Sequence, residues 1–201
     1  MSKNKSKEER REQILTAAFS AFVDRGYNNT TVDYIAEKSG LSKGAIYHHY
    51  ENKKNIFLSL ISHWETFSFP DFYDKKSENR TASKILMDFT DVVFDVFKNR
   101  KHVFLAEIEF WALSNRDEEI RDRSKELYDK LLNLFDLVLK KGVREDEFVD
   151  INTKSVSMSI LSVLQGINWF CLYDYDDDSN AKEYLKSSME ILLKGIIKKD
   201  V

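Results

Sequence analysis

The sequence predicts an all-α protein of about nine helices, because helix-breaking residues are scarce and apolar residues recur at helical spacing. Pro70 is the only proline, and the 201 residues include only six glycines. Apolar side chains recur three or four positions apart almost from end to end, whereas no segment of convincing length alternates as a strand would. We therefore expect a small N-terminal domain of three helices, followed by a larger helical bundle.

Spacing and end signals predict the first four helices at about residues 7–25, 32–38, 43–49 and 53–64. Helix 1 places Ile14, Ala18 and Phe22 at four-residue steps on one face, and Gly26 should end it in a left-handed cap. Asn52 is a suitable N-cap for the fourth helix. The fourth helix should then lead out of the N-terminal domain.

Pro70 marks the clearest break in the helical pattern. Proline disfavours helix in the residue before it, and polar residues cluster after it in SFPDFYDKKSENR. We expect an N-terminal domain at residues 1–56 and a second domain at residues 57–201, linked by the fourth helix. Five further helices are predicted at about residues 80–98, 102–114, 117–141, 151–173 and 180–199.

Charge is distributed unevenly along the chain, although the net formal charge is only −3. Residues 1–56 contain ten Lys/Arg and seven Asp/Glu, a net charge of +3. The remaining 145 residues have a net charge of −6. An anionic partner should therefore meet the N-terminal quarter of the chain.

Cysteine usage and the N-terminus both favour a cytoplasmic protein. Cys171 is the only cysteine and lies in the apolar run GINWFCLY, so we expect a buried thiol and no intrachain disulfide. The N-terminus MSKNKSKEERRE is charged where a signal peptide needs an apolar core. We also expect no helix that spans a membrane.

Residues 30–57 have the spacing of a helix-turn-helix, because SGLS places a glycine in a short turn between two brief amphipathic helices. Val32, Ile35 and Ile46 should pack inward, with Leu41 in the turn. The second helix then presents its start and its outer side, the part that a helix-turn-helix places against base edges in the major groove. The outward-facing residues are Ser42, Lys43, Gly44, Ala45, Tyr47 and His48.

These side chains suit a DNA surface. Gly44 and Ala45 are small enough for close approach, and the residues around them supply hydrogen bonds and positive charge. Thr31 and Lys53 each combine a polar side chain with a helix N-terminus, a place that binds phosphate. Taken alone, a glycine-containing turn between short helices is more often plain packing.

The segment ILTAAFSAFVDRGYNNTTVDYIAEKSGLSKGAIYHHYENKKNIF resembles the DNA-binding domain of the TetR family of transcriptional regulators over about 44 residues without a gap. Ala45 stands where that family often has Thr, and Tyr50 stands where it often has Phe. We assign Tyr50, Ile46 and Phe57 to the core. The resemblance implies phosphate contacts by Thr31, Tyr47, His48 and Lys53, and an approach to bases by Ser42, Lys43, Gly44 and Ala45.

The second domain resembles the family in architecture, and its segments AEIEFWALSNRDEEIRDRSKELYDKLLNLF and GVREDEF are similar to one common C-terminal subgroup. The resemblance implies a ligand pocket and a homodimer built by the last two helices. Small residues on one helix face and an apolar stripe on the final helix permit this interface, although both could instead pack within one subunit. The residues are Ser155, Ser159, Ser162 and Gly166, then Leu185, Met189, Leu192 and Ile196.

Aromatic residues enrich the second domain, as in a cavity for a hydrophobic or aromatic effector. Rings at helical spacing are more often core. The candidate pocket residues are Phe89, Phe97, Phe104, Trp111, Phe135 and Trp169, with Phe110 and Phe170 adding to the enrichment.

A metal or catalytic site is not expected. Glu107 and Glu109 should point to different faces of one helix and lie in solvent, and DYDDDSN lacks the spaced ligands of a calcium loop. No nucleophile–base pair and no phosphate-binding glycine loop is recognisable, so we expect neither a cofactor nor an enzyme.

The sequence thus predicts a ligand-responsive transcriptional regulator, most simply a repressor. Its partners should be double-stranded DNA with a near-palindromic operator, a second copy of the chain and a small effector. The alternative is a helical-bundle carrier or enzyme that does not bind DNA.

Overall fold

The computed structural model describes residues 6–68, 80–99, 102–172 and 178–199, and within these ranges it contains nine α-helices. The all-α prediction is confirmed. The predicted break at Pro70 and most of the DYDDDSN segment lie outside the described residues. The helices are α1 (Lys7–Asn29), α2 (Val32–Ser39), α3 (Lys43–Tyr47), α4 (Lys53–Ser68), α5 (Ala82–Asn99), α6 (His102–Ser114), α7 (Glu118–Arg144), α8 (Thr153–Leu172) and α9 (Asp178–Lys194).

The chain forms two compact units, and the first unit combines two separate parts of the sequence. It contains Met1–Trp64 together with Leu105–Ser124, so most of α6 and the start of α7 pack with the N-terminal helices. The second unit contains Glu65–Phe104 and Lys125–Val201. The first unit therefore includes a segment that is distant in the sequence from the helix-turn-helix.

Local sequence signals define the ends of α1. Ser6 accepts a hydrogen bond from the Glu9 backbone N–H (3.1 Å), and the Glu9 carboxylate accepts one from the Ser6 N–H (2.6 Å), which forms a capping box. Gly26 has φ +70° and ψ 164°, so the regular helix breaks there as expected, but this ψ lies outside the left-handed helical region and the predicted left-handed cap is not formed. A last turn follows and ends at Asn29. A side chain at residue 26 would be strained by the positive φ.

Aromatic rings fill the centre of the first unit. Phe57 packs edge-on against Phe22 and Phe110, with ring centroids 5.2 and 5.3 Å apart. Tyr27 lies 4.7 Å from Phe57 and 5.6 Å from Phe22. This cluster joins α1, α4 and α6, and Phe110 is part of the core of the first unit.

The second unit is built on α5, α8 and α9 with most of α7. The Phe89 and Phe135 rings meet edge-on at 5.1 Å, and Cys171 is buried as predicted. The Glu147 carboxylate accepts hydrogen bonds from the backbone N–H groups of Ala82 (2.6 Å) and Ser83 (2.9 Å), and so caps the start of α5. Helix α5 is thus fixed by a residue 65 positions away.

The final helix is shorter than the sequence predicts. Helix α9 ends at Lys194, and the chain then turns to pair with the segment after α7. The Val149 N–H donates to the Ile196 carbonyl (2.9 Å), and the Lys198 N–H donates to the Glu147 carbonyl (2.9 Å). Ile196 therefore follows the helix instead of belonging to its stripe.

Among the described residues, one helix, α8, meets a length and hydropathy test for membrane-spanning helices. Over 20 residues its mean hydropathy of 1.4 makes it long and apolar enough to cross a bilayer. A single such helix is weak evidence, because the core helix of a globular domain passes the same test. Ile160, Leu164 and Cys171 are buried on one side of α8, which packs with α9 and α5.

Candidate nucleic-acid interface

The turn between α2 and α3 is closed by a glycine and a serine. Gly40 adopts φ +67°, its N–H donates to Glu37 (3.2 Å), and the Leu41 N–H donates to Ala36 (3.1 Å). These two hydrogen bonds end α2 in a Schellman motif. Ser42 then caps α3 through its side chain. The sequence SGLS therefore ends one helix and starts the next within four residues.

The inward-facing residues are placed as the sequence predicts. Ile35 and Ile46 are completely buried, and Val32, Tyr50 and Phe57 are buried beside them. The Arg11 guanidinium lies over the Tyr50 ring at 5.0 Å. Burial raises the pKa of the Tyr50 hydroxyl. Tyr50 therefore lies in the core, as the sequence predicts.

The opposite side of α3 is exposed. Tyr47 remains 46% exposed, and Ser42, Lys43, Gly44 and His48 are also exposed, while Ala45 is half-buried. A Cβ added at Gly44 would have no atom within 4 Å, so packing inside the chain does not require this glycine. Glycine also has a lower helix propensity than alanine. Its presence here is consistent with close approach by an external partner.

Two hydroxyl groups on this surface already serve as helix caps. Thr31 Oγ1 accepts a hydrogen bond from the Tyr34 N–H (3.2 Å), and Ser42 Oγ accepts one from the Ala45 N–H (3.1 Å). In both cases the hydroxyl acts as the acceptor, so its own hydrogen stays available for donation. The first N–H groups of α2 follow Thr31, and a helix N-terminus stabilises a phosphate.

Lys43 is held by an acidic neighbour. Its Nζ lies 2.8 Å from Asp33 Oδ2, and both side chains are exposed. The hydrogen bond to Asp33 raises the pKa of Lys43. DNA would have to compete with Asp33 for this ammonium group, and Asp33 was not recognised from the sequence as part of the surface.

Lys53 is placed differently from the phosphate contact that the resemblance implies. Its Nζ donates to the carbonyl oxygens of Tyr27 (2.7 Å) and Thr30 (2.9 Å), with Asn28 at 3.4 Å. The same ammonium group lies 4.4 Å from the centroid of the Tyr27 ring. Burial lowers the pKa of Lys53. In this structure Lys53 therefore binds the end of α1.

Glu109 is a second residue whose role the sequence did not indicate. The expectation that Glu107 and Glu109 lie in solvent is wrong, because Glu107 is buried and Glu109 contacts α1. Glu109 Oε2 accepts a hydrogen bond from the Tyr27 N–H (3.2 Å). Its Oε1 would lie 3.3 Å from a Cβ at Gly26. These partners are 82 residues apart, so spacing within one helix could not indicate the contact.

Lys54, the next residue on α4, is paired with acidic groups. Its Nζ lies 2.8 Å from Asp117 and 2.9 Å from Glu119. The hydrogen bonds to these carboxylates raise the pKa of Lys54. Two adjacent lysines therefore have different environments, carbonyl oxygens for Lys53 and carboxylates for Lys54.

The predicted pocket residues do not form one group within a unit. Trp111 belongs to the first unit and is 53% exposed, whereas the other five belong to the second unit. Trp169 is 43% exposed. The remaining four rings are buried in the second unit, as either a core or an enclosed lining would be: Phe89, Phe97, Phe104 and Phe135.

The predicted dimer stripe on α9 also needs correction. Leu185 and Met189 are only 1% exposed and pack inside their own subunit, and Ile196 is buried beyond the end of the helix. Leu192 is half-buried, as is Gly166 on α8. Ser155, Ser159 and Ser162 do lie on the exposed side of α8. Large apolar residues are exposed elsewhere on these two helices, namely Met158, Trp169, Phe170, Tyr184 and Ile191.

No group of three or more His, Cys, Asp or Glu side chains that could hold a metal ion occurs in the part of the chain that the structure describes. The exposed surface of α3 thus remains the best-defined candidate site, and its chemistry suits DNA.

Comparison with known proteins supports the same assignment. Residues 14–60 match the model of bacterial regulatory proteins of the tetR family, and residues 73–198 match the C-terminal region of QacR-like proteins. The chain is 24% identical over 194 residues to the HTH-type transcriptional regulator QacR of Staphylococcus aureus, which covers 94% of this chain and 98% of that protein.

Solved structures show the same fold. A transcriptional regulator from Saccharomonospora viridis in complex with choline superimposes with a TM-score of 0.83 at 19% identity, covering 96% of this chain and all of that one. FadR from Bacillus subtilis in complex with stearoyl-CoA gives 0.80 at 22% identity, covering 92% and 98%.

These matches exclude the alternative of a carrier or enzyme built on a helical bundle, because the N-terminal helices match DNA-binding regulators and the C-terminal helices match their ligand-binding region. The chain belongs to the TetR family of helix-turn-helix transcriptional regulators and has a QacR-like C-terminal region.

Proposed function

We propose that this regulator is a repressor that binds a near-palindromic operator as a homodimer in the cytoplasm and is released by a small effector. The observation that carries the DNA-binding part is the exposed outer side of α3, where Tyr47 and His48 project while Ile46 and Tyr50 anchor the helix. Thr31, Ser42, Lys43, Gly44 and Ala45 complete the proposed surface, with small residues at the closest approach.

Replacement of Tyr47 and His48 together by Ala should abolish operator protection in footprinting. Both side chains are exposed, so the variant should keep its fold and its subunit number. Circular dichroism and native mass spectrometry provide the controls. Protection that survives in a folded variant would place the reading surface elsewhere.

The homodimer is supported by apolar residues exposed on α8 and α9. Ile191 is 69% exposed and Phe170 is 63% exposed, and the serines at 155, 159 and 162 leave room for a second helix to approach. Apolar exposure of this kind on two neighbouring helices marks an association surface. Two-fold symmetry would then place two α3 helices in successive major grooves.

Replacement of Ile191 by Glu should convert the dimer to monomers, because it buries a charge in the proposed interface. Leu137 provides a matched control, since it is 66% exposed on α7 and lies outside the α8–α9 face. Analytical ultracentrifugation should show monomers for Ile191→Glu and unchanged dimers for Leu137→Glu. Dimers from both variants would contradict this interface.

A small effector is supported by the QacR-like C-terminal region, and its hydrophobic or aromatic character is supported by the ring content of the second domain alone. Two relatives of the same fold bind choline and stearoyl-CoA, which shows how widely the ligands differ between them. An effector shifts the equilibrium from the operator-binding conformation to the non-operator conformation only to the extent that it binds the non-operator conformation more tightly. Native mass spectrometry of protein from its own host should reveal a retained ligand as added mass.

A further inference from the structure

We propose that Lys53 is a positioning residue for operator binding, which acts by fixing residues 26–31, the corner between α1 and α2, and not by neutralising a phosphate. The inference rests on the proposed operator contacts of α2 and α3. It reassigns a residue whose position at the start of α4 otherwise suggests a phosphate contact.

The donors of Lys53 are already engaged. An ammonium group has three N–H donors. Three carbonyl oxygens of the corner lie around Nζ, those of Tyr27 (2.7 Å), Thr30 (2.9 Å) and Asn28 (3.4 Å). The Tyr27 ring covers the same group at 4.4 Å. Contact with a DNA phosphate would require Lys53 to break these bonds first.

The corner needs a cation from outside its own helix. The last carbonyl groups of a helix have no intrahelical partner and form the negative end of its dipole. Helix α1 has no basic residue in its last turn, and Gly26 interrupts the hydrogen-bond ladder. Lys53 supplies the missing charge from the first residue of α4, where a cation is unfavourable for α4 itself.

The opposite side of the corner is held as well. Glu109 Oε2 accepts a hydrogen bond from the Tyr27 N–H at 3.2 Å. Glu109 thus binds a backbone N–H of the corner, whereas Lys53 binds its carbonyl groups. Thr30 is buried, and its single hydroxyl hydrogen is shared between the carbonyls of Ala21 (3.0 Å) and Gly26 (2.8 Å). The following residue, Thr31, is the N-cap of α2. Lys53 and Glu109 therefore determine where α2 begins and how its N-terminus faces DNA.

The test compares Lys53→Met with Lys54→Met, because both remove one charge at adjacent positions and keep most of the side-chain volume. Affinities are measured by fluorescence anisotropy across a salt series for a duplex selected from random DNA by the wild-type protein, which serves as the operator, and for an unrelated duplex. The active fraction is measured by stoichiometric titration. We expect Lys53→Met to weaken binding to the operator duplex about tenfold or more and binding to the unrelated duplex much less. The slope of log affinity against log salt concentration should equal, within error, the slope measured for Lys54→Met.

The alternatives give different results. Loss of a phosphate contact would weaken both duplexes alike and reduce the salt slope by about one, and that result would overturn the proposal. A merely structural effect would lower the active fraction without changing the operator preference of the folded protein. That result would also overturn the proposal. If the wild-type protein shows no operator preference, the proposed operator contacts fail independently.

Glu109→Gln provides an independent variant in case Lys53→Met does not fold. It loosens the same corner while removing a negative charge. We expect reduced operator preference, as for Lys53→Met. Simple charge removal would instead tighten binding to both duplexes, and that outcome would contradict the role of the corner.

Discussion

The recognition helix α3 and the final helix α9 show how differently short-range and long-range packing constrain a sequence pattern. In α3 and the turn that follows it, Ile46 and Tyr50 are buried while Tyr47 and His48 are exposed, as the sequence predicts. In α9, Leu185 and Met189 form the expected apolar stripe but pack inside the subunit, while Ile191 is exposed. A stripe identifies a buried face without identifying what buries it.

The difference follows from where each helix finds its partners. The neighbours of α3 are α2 and the turn, which lie within a few residues, so the sequence fixes which side remains exposed. The neighbours of α9 are α5 and α8, and α5 ends about 80 residues earlier in the chain. Helix periodicity contains no information on that packing.

Met189→Ala and Ile191→Ala should separate the two faces of α9. Met189 is buried, so its truncation should lower the free energy of unfolding by about 2–5 kcal/mol at every protein concentration. Ile191 is exposed, so its truncation should weaken only the dimer. The denaturation midpoint should then fall by an amount that depends on protein concentration. Denaturation at two protein concentrations provides the measurement, and equal losses in both variants would remove the distinction.

Asp33→Asn should sharpen the description of the DNA surface. It releases the Lys43 ammonium, 2.8 Å away, and removes a negative charge beside α3. We expect affinity for unrelated DNA to rise by about 3- to 10-fold at low salt and to converge with wild type at high salt. Asp24→Asn is the matched control, because Asp24 pairs with Lys38 at 2.7 Å. An equal rise for Asp24→Asn would show only a general charge effect.

Replacement of His49 should have the smallest effect of these changes, on the pH dependence of stability. Burial lowers the pKa of His49 below 6.5, assisted by His48, Lys7, Arg11 and Arg10. Because the unfolded chain takes up the proton first, the free energy of unfolding falls as pH drops below about 6.5. His49→Gln should remove this part of the pH dependence, roughly 1 °C in melting temperature between pH 7.5 and 5.5, since solvent screens a half-buried ring. Parallel pH profiles for both proteins would contradict this assignment.

The sequence indicated the helices, the turn and the inward residues of the helix-turn-helix, because each depends on neighbours along the chain. Gly26, Gly40 and Asn52 mark helix ends through their own backbone or side-chain chemistry. The contacts of Lys53 and Glu109 did not follow, because their partners lie 23–26 and 82 residues away. The sequence also did not indicate which aromatic rings line a pocket, since spacing alone does not separate a lining from a core.

Glu147 has a consequence for the folding kinetics of the second unit. Its carboxylate binds the start of α5, and its carbonyl binds the Lys198 N–H, so residues near 82, 147 and 198 meet at one point. Each of these contacts closes a loop of about 50 or 65 residues, and such closure has an entropic cost before any packing is gained. This junction should therefore form late, after the individual helices, and its loss should accelerate unfolding more than it slows folding.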